Sequence, residues 1–167
     1  AHFDAEGAVG ISAPATADST GIAAGSIFSV GYSQAQTTAK VDLQAGVVID
    51  AGNAVVITSN AEAKAKLEAK TERGTTSTPN PGEKQFGASL AVSYADATSH
   101  VTVATGASIT AGKTANVGAS GKTESQAVAE SGLFADGTAA LAFGPEFSKA
   151  HIQTTGNGSI TAHMKPG

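Results

Sequence analysis

The chain has 167 residues, which is enough for one well-buried domain and too few for two of ordinary size. Charged residues make up only 14%, and the net charge of −4 leaves no basic stripe for a nucleic acid. Cysteine is absent, which excludes disulfides, thiolate metal sites and cysteine catalysis. Aromatic residues are 5%, so the core must be built from small and β-branched side chains.

The beginning of the chain lacks a charged and apolar leader, and no stretch approaches the ~20 apolar residues of a membrane span. If the protein is secreted, its targeting signal lies elsewhere. We therefore expect a segment of a longer polypeptide. Residues 7–13 (GAVGISA) are predicted to form a strand, and residues 15–25 a loop.

The next elements form a repeating series of strands. Apolar residues at alternate positions predict strands at 28–32 and 41–43, followed by a glycine turn, a short strand around Ile49 and another at 54–59. Residues 72–87 carry two prolines and predict a projecting loop.

Residues 60–74 (NAEAKAKLEAKTERG) allow two interpretations. Ala, Glu, Lys and Leu favour a helix that Gly74 would end. However, the apolar residues from Ala61 to Ala69 alternate strictly with charged ones, which places them on one face of a strand and would scatter them around a helix. We predict a strand.

The same series returns twice along the chain. With an offset of 60, VDLQAGVVIDAG (41–52) aligns with VTVATGASITAG (101–112); an offset of 62 aligns SIFSVGYS (26–33) with ASLAVSYA (88–95), Tyr32 with Tyr94. With an offset of 51, His100 aligns with His151 and SITA at 108–111 with SITA at 159–162. These repeats divide the chain into the following parts: 1–25, a partial repeat and loop; 26–87, a unit with the loop 72–87; 88–138, a second unit; and 139–167, a partial unit.

Repeated short strands without helices predict an all-β parallel solenoid. Because solenoid coils usually have about 20–30 residues, we expect two to three coils in each unit and a rod roughly 30 Å long. The three segments 15–25, 72–87 and 131–140 precede equivalent strands, so the inserted loops are expected at one corner. Neighbouring repeats of the same polypeptide, or copies placed end to end, would cover the open ends.

Residues 88–120 (ASLAVSYADATSHVTVATGASITAGKTANVGAS) resemble the repeats of giant bacterial surface proteins, including autotransporter-like and filamentous-haemagglutinin-like adhesins. The resemblance extends over most of the chain. It implies a right-handed parallel β-helix (a β-solenoid fragment) at the bacterial cell surface or outside the cell, without catalytic residues. Surface glycans or host molecules are then the expected partners.

No residue is assigned to a catalytic, cofactor or metal site. His100 and His151 align with Lys40, which indicates a solvated position, and no His pair has a metal-binding spacing. Asp42 and Asp50 flank a turn, but their equivalents are threonines.

Two carboxylate pairs deserve separate consideration as a glycosidase site: Glu124 with Glu130, and Asp96 with Glu146. They lack a groove of aromatic platforms, because the chain has no Trp and two Tyr. The leading hypothesis is therefore a non-catalytic segment of an adhesin stalk or extracellular filament. The alternative is a carbohydrate-active β-helix, a polysaccharide lyase or hydrolase.

Overall fold

The computed structural model describes residues 1–25, 28–71, 86–131, 137–154 and 159–162. These residues form eleven strands and no helix. The strands are β1 (His2–Ala5), β2 (Val9–Gly25), β3 (Phe28–Leu43), β4 (Val48–Ala51), β5 (Ala54–Thr71), β6 (Phe86–Val103), β7 (Ser108–Ala111), β8 (Thr114–Ser131), β9 (Gly137–Phe143), β10 (Glu146–Thr154) and β11 (Ser159–Ala162).

The strands form three parallel sheets. The short sheet has the order β1-β4-β7-β11, and one long sheet has the order β2-β5-β8. The other long sheet contains β3, β6 and β10, with β9 also pairing with β6. We call the sheet of β2, β5 and β8 the return sheet, and the sheet of β3, β6, β9 and β10 the outgoing sheet. This stacking confirms the predicted parallel β-solenoid.

Each repeat unit is a single coil. Val41 pairs with Val101, and Val101 with Ile152, so equivalent residues of successive units lie side by side. The expectation of two to three coils per unit is therefore wrong. The predicted strands at 28–32 and 41–43 are the two ends of one strand, β3. Four coil levels rise only about 15–20 Å along the axis, whereas an 18-residue strand extends about 60 Å across it.

The turn between the outgoing and short sheets is repeated in the same conformation. Gly46 and Gly106 have φ of +75° and +79°, which only glycine adopts without strain. In each turn a backbone N–H bonds back three residues, from Val47 to Gln44 at 3.2 Å and from Ala107 to Ala104 at 3.0 Å. Stacked glycine turns thus keep successive coils in register.

The core changes in composition along the strands. Next to the short sheet it is filled by large aliphatic side chains, including Val41, Ile49, Ile57 and Ile109. In the middle its apolar residues are all alanines, contributed by both long sheets, and the buried serines Ser59 and Ser99 adjoin them along β5 and β6. Beyond the alanines, Leu67 is buried where Gly31 of the facing strand leaves room for it. The two long sheets therefore pack face to face through small residues.

Residues 61–70 lie in β5, and their odd-numbered residues are buried, so the strand prediction is confirmed. The loop predicted at 15–25 is wrong, because these residues continue β2 with the same alternation. Of the predicted loop 72–87, residues 72–85 lie outside the described residues, and Phe86 and Gly87 begin β6.

The prediction of inserted loops at one corner fails for residues 15–25, and Ser131 and 137–140 of the segment 131–140 also lie in strands. Residues 26–27, 72–85 and 132–136 each connect the end of a return-sheet strand to the start of an outgoing-sheet strand. They lie outside the described residues.

The side chain of Glu146, in β10 of the outgoing sheet, reaches the return sheet. Glu146 is the register partner of Ala95, a core residue, and its Oε1 accepts a 2.7 Å hydrogen bond from the backbone N–H of Ser125 in β8. Gly144 passes close to the same residue, because a Cβ added there would be 3.2 Å from the Ser125 carbonyl oxygen. Among the described strands, β8 pairs only with β5, so Glu146 satisfies a donor on its unpaired edge.

Candidate interaction surface

The alternation of β3 decides which side chains reach the surface. Leu43 and Val41 face the core next to the short sheet, and counting back by two places Ser33 and Ser29 inside as well. Both serines are buried, and the intervening residues, among them Tyr32, point outward. In this part of β3, small residues therefore face the interior while large apolar ones face solvent.

This arrangement produces an apolar face on the outside of the outgoing sheet. Its most exposed members are Phe28, at 64%, and Tyr32, at 61%, and the others are exposed or half-buried. We define the apolar face as Phe28, Val30, Tyr32, Leu90, Val92, Tyr94, Leu141, Phe143 and Phe147.

The apolar face is ordered in columns across three coils. One column consists of Val30, Leu90 and Leu141 as successive register partners, and the next of Tyr32, Val92 and Phe143. Since adjacent parallel strands lie about 4.8 Å apart, the members of a column are in side-chain contact range. The face is a flat apolar surface rather than scattered single residues.

Two tyrosines mark the boundary of the apolar face. The Tyr32 hydroxyl donates to Gln34 Oε1 at 3.0 Å, and the Tyr94 hydroxyl donates to Asp96 Oδ2 at 3.3 Å. The Tyr94 ring lies 5.7 Å from that of Phe147, with the planes tilted by 39°. These bonds hold each ring's polar end toward the polar half of the sheet and leave its apolar ring on the face.

Charged side chains occupy the opposite side of the solenoid. On the return sheet, Glu62 pairs with Lys64 on its own strand at 3.0 Å and with Lys122 on the next coil at 3.1 Å. Lys70 likewise pairs with Glu68, and with Glu130 of the next coil at 3.3 Å. The charges of adjacent coils are thus complementary, and they form a charged ladder along the axis.

The charged ladder shifts the pKa values of its members. The hydrogen bond from Lys64, followed by that from Lys122, holds the pKa of Glu62 below its ordinary value. The hydrogen bond to Glu68, followed by that to Glu130, raises the pKa of Lys70 above its ordinary value. Both shifts favour the charged forms that make the pairs.

Lys40, His100 and His151 are successive register partners, as the repeat predicted. Lys40 is exposed and His100 is half-buried, on the polar half of the outgoing sheet. Lys40 Nζ lies 2.7 Å from Asp42 Oδ2, and this hydrogen bond is the main cause that lowers the pKa of Asp42. Asp50 lies on the short sheet and Asp42 on the outgoing sheet.

The two carboxylate pairs do not form a glycosidase arrangement. Glu124 and Glu130 are six residues apart on one strand, which separates them by about 20 Å, whereas catalytic carboxylates lie roughly 5–9.5 Å apart. Asp96 faces outward beside Phe147, but the carboxylate of Glu146 bonds Ser125 of the facing sheet. In the described ranges, no three His, Cys, Asp or Glu side chains form a group that could hold a metal ion.

Comparison with known protein families, curated proteins and solved structures finds no match. The part of the chain that the structure describes also contains no helix with the length and hydropathy needed to cross a membrane.

The apolar face was missed in the sequence because apolar residues at alternate positions were assigned to the core. The offset of 62, which aligned Tyr32 with Tyr94, is also wrong: Tyr32 pairs with Val92 and Gln34 with Tyr94. The alternation along β3, with odd-numbered residues facing the core and even-numbered residues facing solvent, is the signal that could have identified this face. Leu43 must be buried beside the turn, and an unbroken strand then places Phe28, Val30 and Tyr32 outside.

Proposed function

We propose that the chain is a structural and interaction segment of a secreted bacterial repeat protein, an adhesin stalk or extracellular filament. The observation that carries this proposal is the in-register stacking of equivalent coils. The length of the solenoid along its axis therefore depends on the number of repeats, because each coil contacts only its neighbours. A spacer or filament requires this property, and the resemblance of residues 88–120 to adhesin repeats points to the same setting.

The first coil supports the proposal further. Among the described strands, β2 pairs only with β5 and β3 only with β6, so each has an edge without a strand partner. The inward residues of β2, such as Val9 and Ile11, are half-buried, while their partners Val55 and Ile57 on the next coil are fully buried. Another coil of the same kind would complete both the hydrogen bonds and the core.

Insertion of one additional coil tests the proposal. Phe28 pairs with Ala88, sixty positions later, so a second copy of residues 28–87 placed directly after Gly87 should add one coil in register. The expected product melts in one cooperative transition and is longer by about 4.8 Å along the axis in small-angle scattering. The control carries the same residues in scrambled order, which breaks the alternation. An inserted native copy that is digested by protease as readily as the scrambled one would contradict the proposal.

The extracellular setting needs its own measurement. Antibodies raised against the folded segment should label intact cells of the producing organism, and external protease should remove the label. Labelling only after permeabilisation would contradict this part of the proposal and leave the stacking property unaffected.

The carbohydrate-active alternative makes a different prediction. A lyase or hydrolase would turn over polysaccharide, whereas a stalk segment would release no products. Neither carboxylate pair has the arrangement of a glycosidase site: Glu124 and Glu130 are too far apart, and Asp96 and Glu146 point in different directions. We therefore expect no turnover in a screen of acidic and neutral polysaccharides. Reproducible release of unsaturated or reducing ends would favour the alternative.

A further inference from the structure

The apolar face presents an unusually large area for the surface of a monomer. A buried aromatic side chain covers about 150–250 Å², so nine large side chains that are exposed or half-buried present on the order of 700 Å². The largest apolar patch on a typical monomer is about 300–600 Å². A specific complex of standard size buries about 800 Å² on each partner. The face therefore has the area that one side of a stable interface needs.

The chemistry and shape of the apolar face favour another flat apolar surface as its occupant. None of its nine residues is Lys or Arg, so it offers no cation for a phosphate or an anionic headgroup. Aliphatic columns such as Val30, Leu90 and Leu141 lack the hydrogen-bonding groups that sugar hydroxyls require. Two grooves lie on the return sheet, one along Asp18, Lys64 and Glu124 and the other along Thr16, Glu62 and Lys122.

We propose that two copies of this chain associate through the apolar face, outgoing sheet against outgoing sheet, in a face-to-face dimer. Two flat β-sheet faces pack about 10 Å apart with their strands aligned within about 30°, and the same surface on both copies can satisfy a twofold axis. The charged ladders then lie on the two outer sides of the dimer, away from the interface. Association of this kind is lateral, so it joins stalks side by side and leaves the ends of each solenoid free.

Paired variants on the two faces test the dimer. The double variant Val30→Thr with Leu141→Thr removes apolar area from the apolar face, and its threonines remain compatible with a strand. Val56→Thr with Ile22→Thr makes comparable changes at exposed positions of the return sheet. Sedimentation velocity between about 1 μM and 0.1 mM should show a dimer for the parent and the control. The Val30/Leu141 variant should raise the dissociation constant by about tenfold or more.

A crosslinking experiment keeps the proposal testable even if a threonine variant folds poorly. The chain has no cysteine, so each single-cysteine variant reports one position. Val92→Cys, at the centre of the apolar face, should form a covalent dimer with a short bismaleimide crosslinker, which can span the ~10 Å between two packed sheets. Val56→Cys, exposed on the return sheet, should remain largely monomeric at the same concentration.

Three results would overturn the proposal. The first is a parent protein that stays monomeric at about 0.1 mM. The second is open-ended growth beyond the dimer that the Val30/Leu141 variant leaves unchanged, because this would indicate stacking through the coil ends. The third is retention of the monomeric parent on polysaccharide beads or anionic lipid vesicles that the Val30/Leu141 variant loses. The dimer does not depend on the proposed function, so its absence would not decide whether the chain is a stalk segment.

Discussion

Ser99 and Ser59 face each other across the core with unequal hydrogen bonding. Ser99 Oγ donates to the Ser59 carbonyl oxygen at 2.6 Å and accepts from the Ser120 N–H at 3.2 Å. The hydroxyl of Ser59 is also fully buried, and within the described residues it has no hydrogen-bond partner. The two serines therefore differ in what their hydroxyls contribute to stability.

Substituting each of these serines with alanine should separate the two effects. Ser59→Ala removes an unsatisfied buried hydroxyl and leaves the carbonyl that Ser99 uses, so we expect the free energy of unfolding to stay level or rise by up to about 1 kcal/mol. Ser99→Ala leaves the Ser120 N–H without its acceptor and should lower the free energy of unfolding by about 1–3 kcal/mol. Chemical denaturation of both variants measures the difference. Equal losses would show that the Ser59 hydroxyl does have a partner.

Leu67 and Gly31 form a large-to-small contact at the end of the core far from the short sheet. A Cβ at residue 31 would lie 2.9 Å from Leu67 Cδ2 and 3.0 Å from the Cβ of Ala23. Gly31→Ala should therefore lower the free energy of unfolding by about 1–3 kcal/mol through overpacking. Leu67→Ala should cost about 2–5 kcal/mol through the cavity it leaves.

A double-mutant cycle checks this contact. Because the new methyl group would enter the space that Leu67 vacates, the double variant should lose less stability than the two single variants together. Gly118→Ala is the control, since its Cβ would meet only Thr58 Cγ2 at an ordinary 3.9 Å. Strict additivity of the Gly31 and Leu67 changes would contradict the packing described here.

The charged ladder predicts a loss of stability in acid. The pKa of Glu62 is lower in the folded protein than its ordinary value of 4.5, so its contribution to stability is present above that pH and is lost as the pH falls through the lower folded value. Glu62→Gln should therefore reduce the difference in Tm between about pH 6 and about pH 3.

Salt provides the control for the ladder. At about 1 M salt the screening length falls to roughly 3 Å. The parent and Glu62→Gln should then differ less in how far Tm falls between the two pH values. A parent and variant with the same acid slope at low salt would show that Glu62 gains nothing from Lys64 and Lys122 in solution.

Glu146 predicts a local change in hydrogen exchange. Since its carboxylate accepts the Ser125 N–H on the unpaired edge of β8, Glu146→Ala should increase the native-state exchange rate of that amide several-fold. Glu146→Gln, whose amide oxygen can still accept, should increase it less. Glu130→Ala also removes a carboxylate associated with β8, but one that pairs with Lys70, and should leave Ser125 unchanged. An unchanged Ser125 rate in Glu146→Ala would contradict the contact.

The sequence was sufficient to predict the stacking. The 51-residue offset aligned His100 with His151 and Ile109 with Ile160, but their direct pairing corresponds to one coil per repeat and not to the two to three expected. The strand at 61–70 was also predictable, since its alternation suits only a strand. These predictions rest on local periodicity and on repetition, which a single sequence contains.

The length of the strands was harder to predict. Strands in globular proteins average about 5–6 residues, so apolar residues near Tyr32 and Val41 were assigned to two strands. No glycine, proline or asparagine separates them, and the continuous alternation through Ala35 and Ala39 was the sign of one strand. The apolar face was missed for the same reason, because a break in the strand would have allowed Tyr32 to face the core.

An engineered disulfide tests most directly whether each repeat is one coil in register. Asp50 of β4 is the register partner of Thr110 in β7, so their Cα atoms should lie about 4.8 Å apart, within the range that a disulfide bridges. Asp50→Cys with Thr110→Cys should crosslink within the monomer, and Asp50→Cys with Ser108→Cys, displaced by two residues, should not. If the displaced pair forms the bond, or if neither pair does while both variants fold, then successive repeats are not single coils stacked in this register.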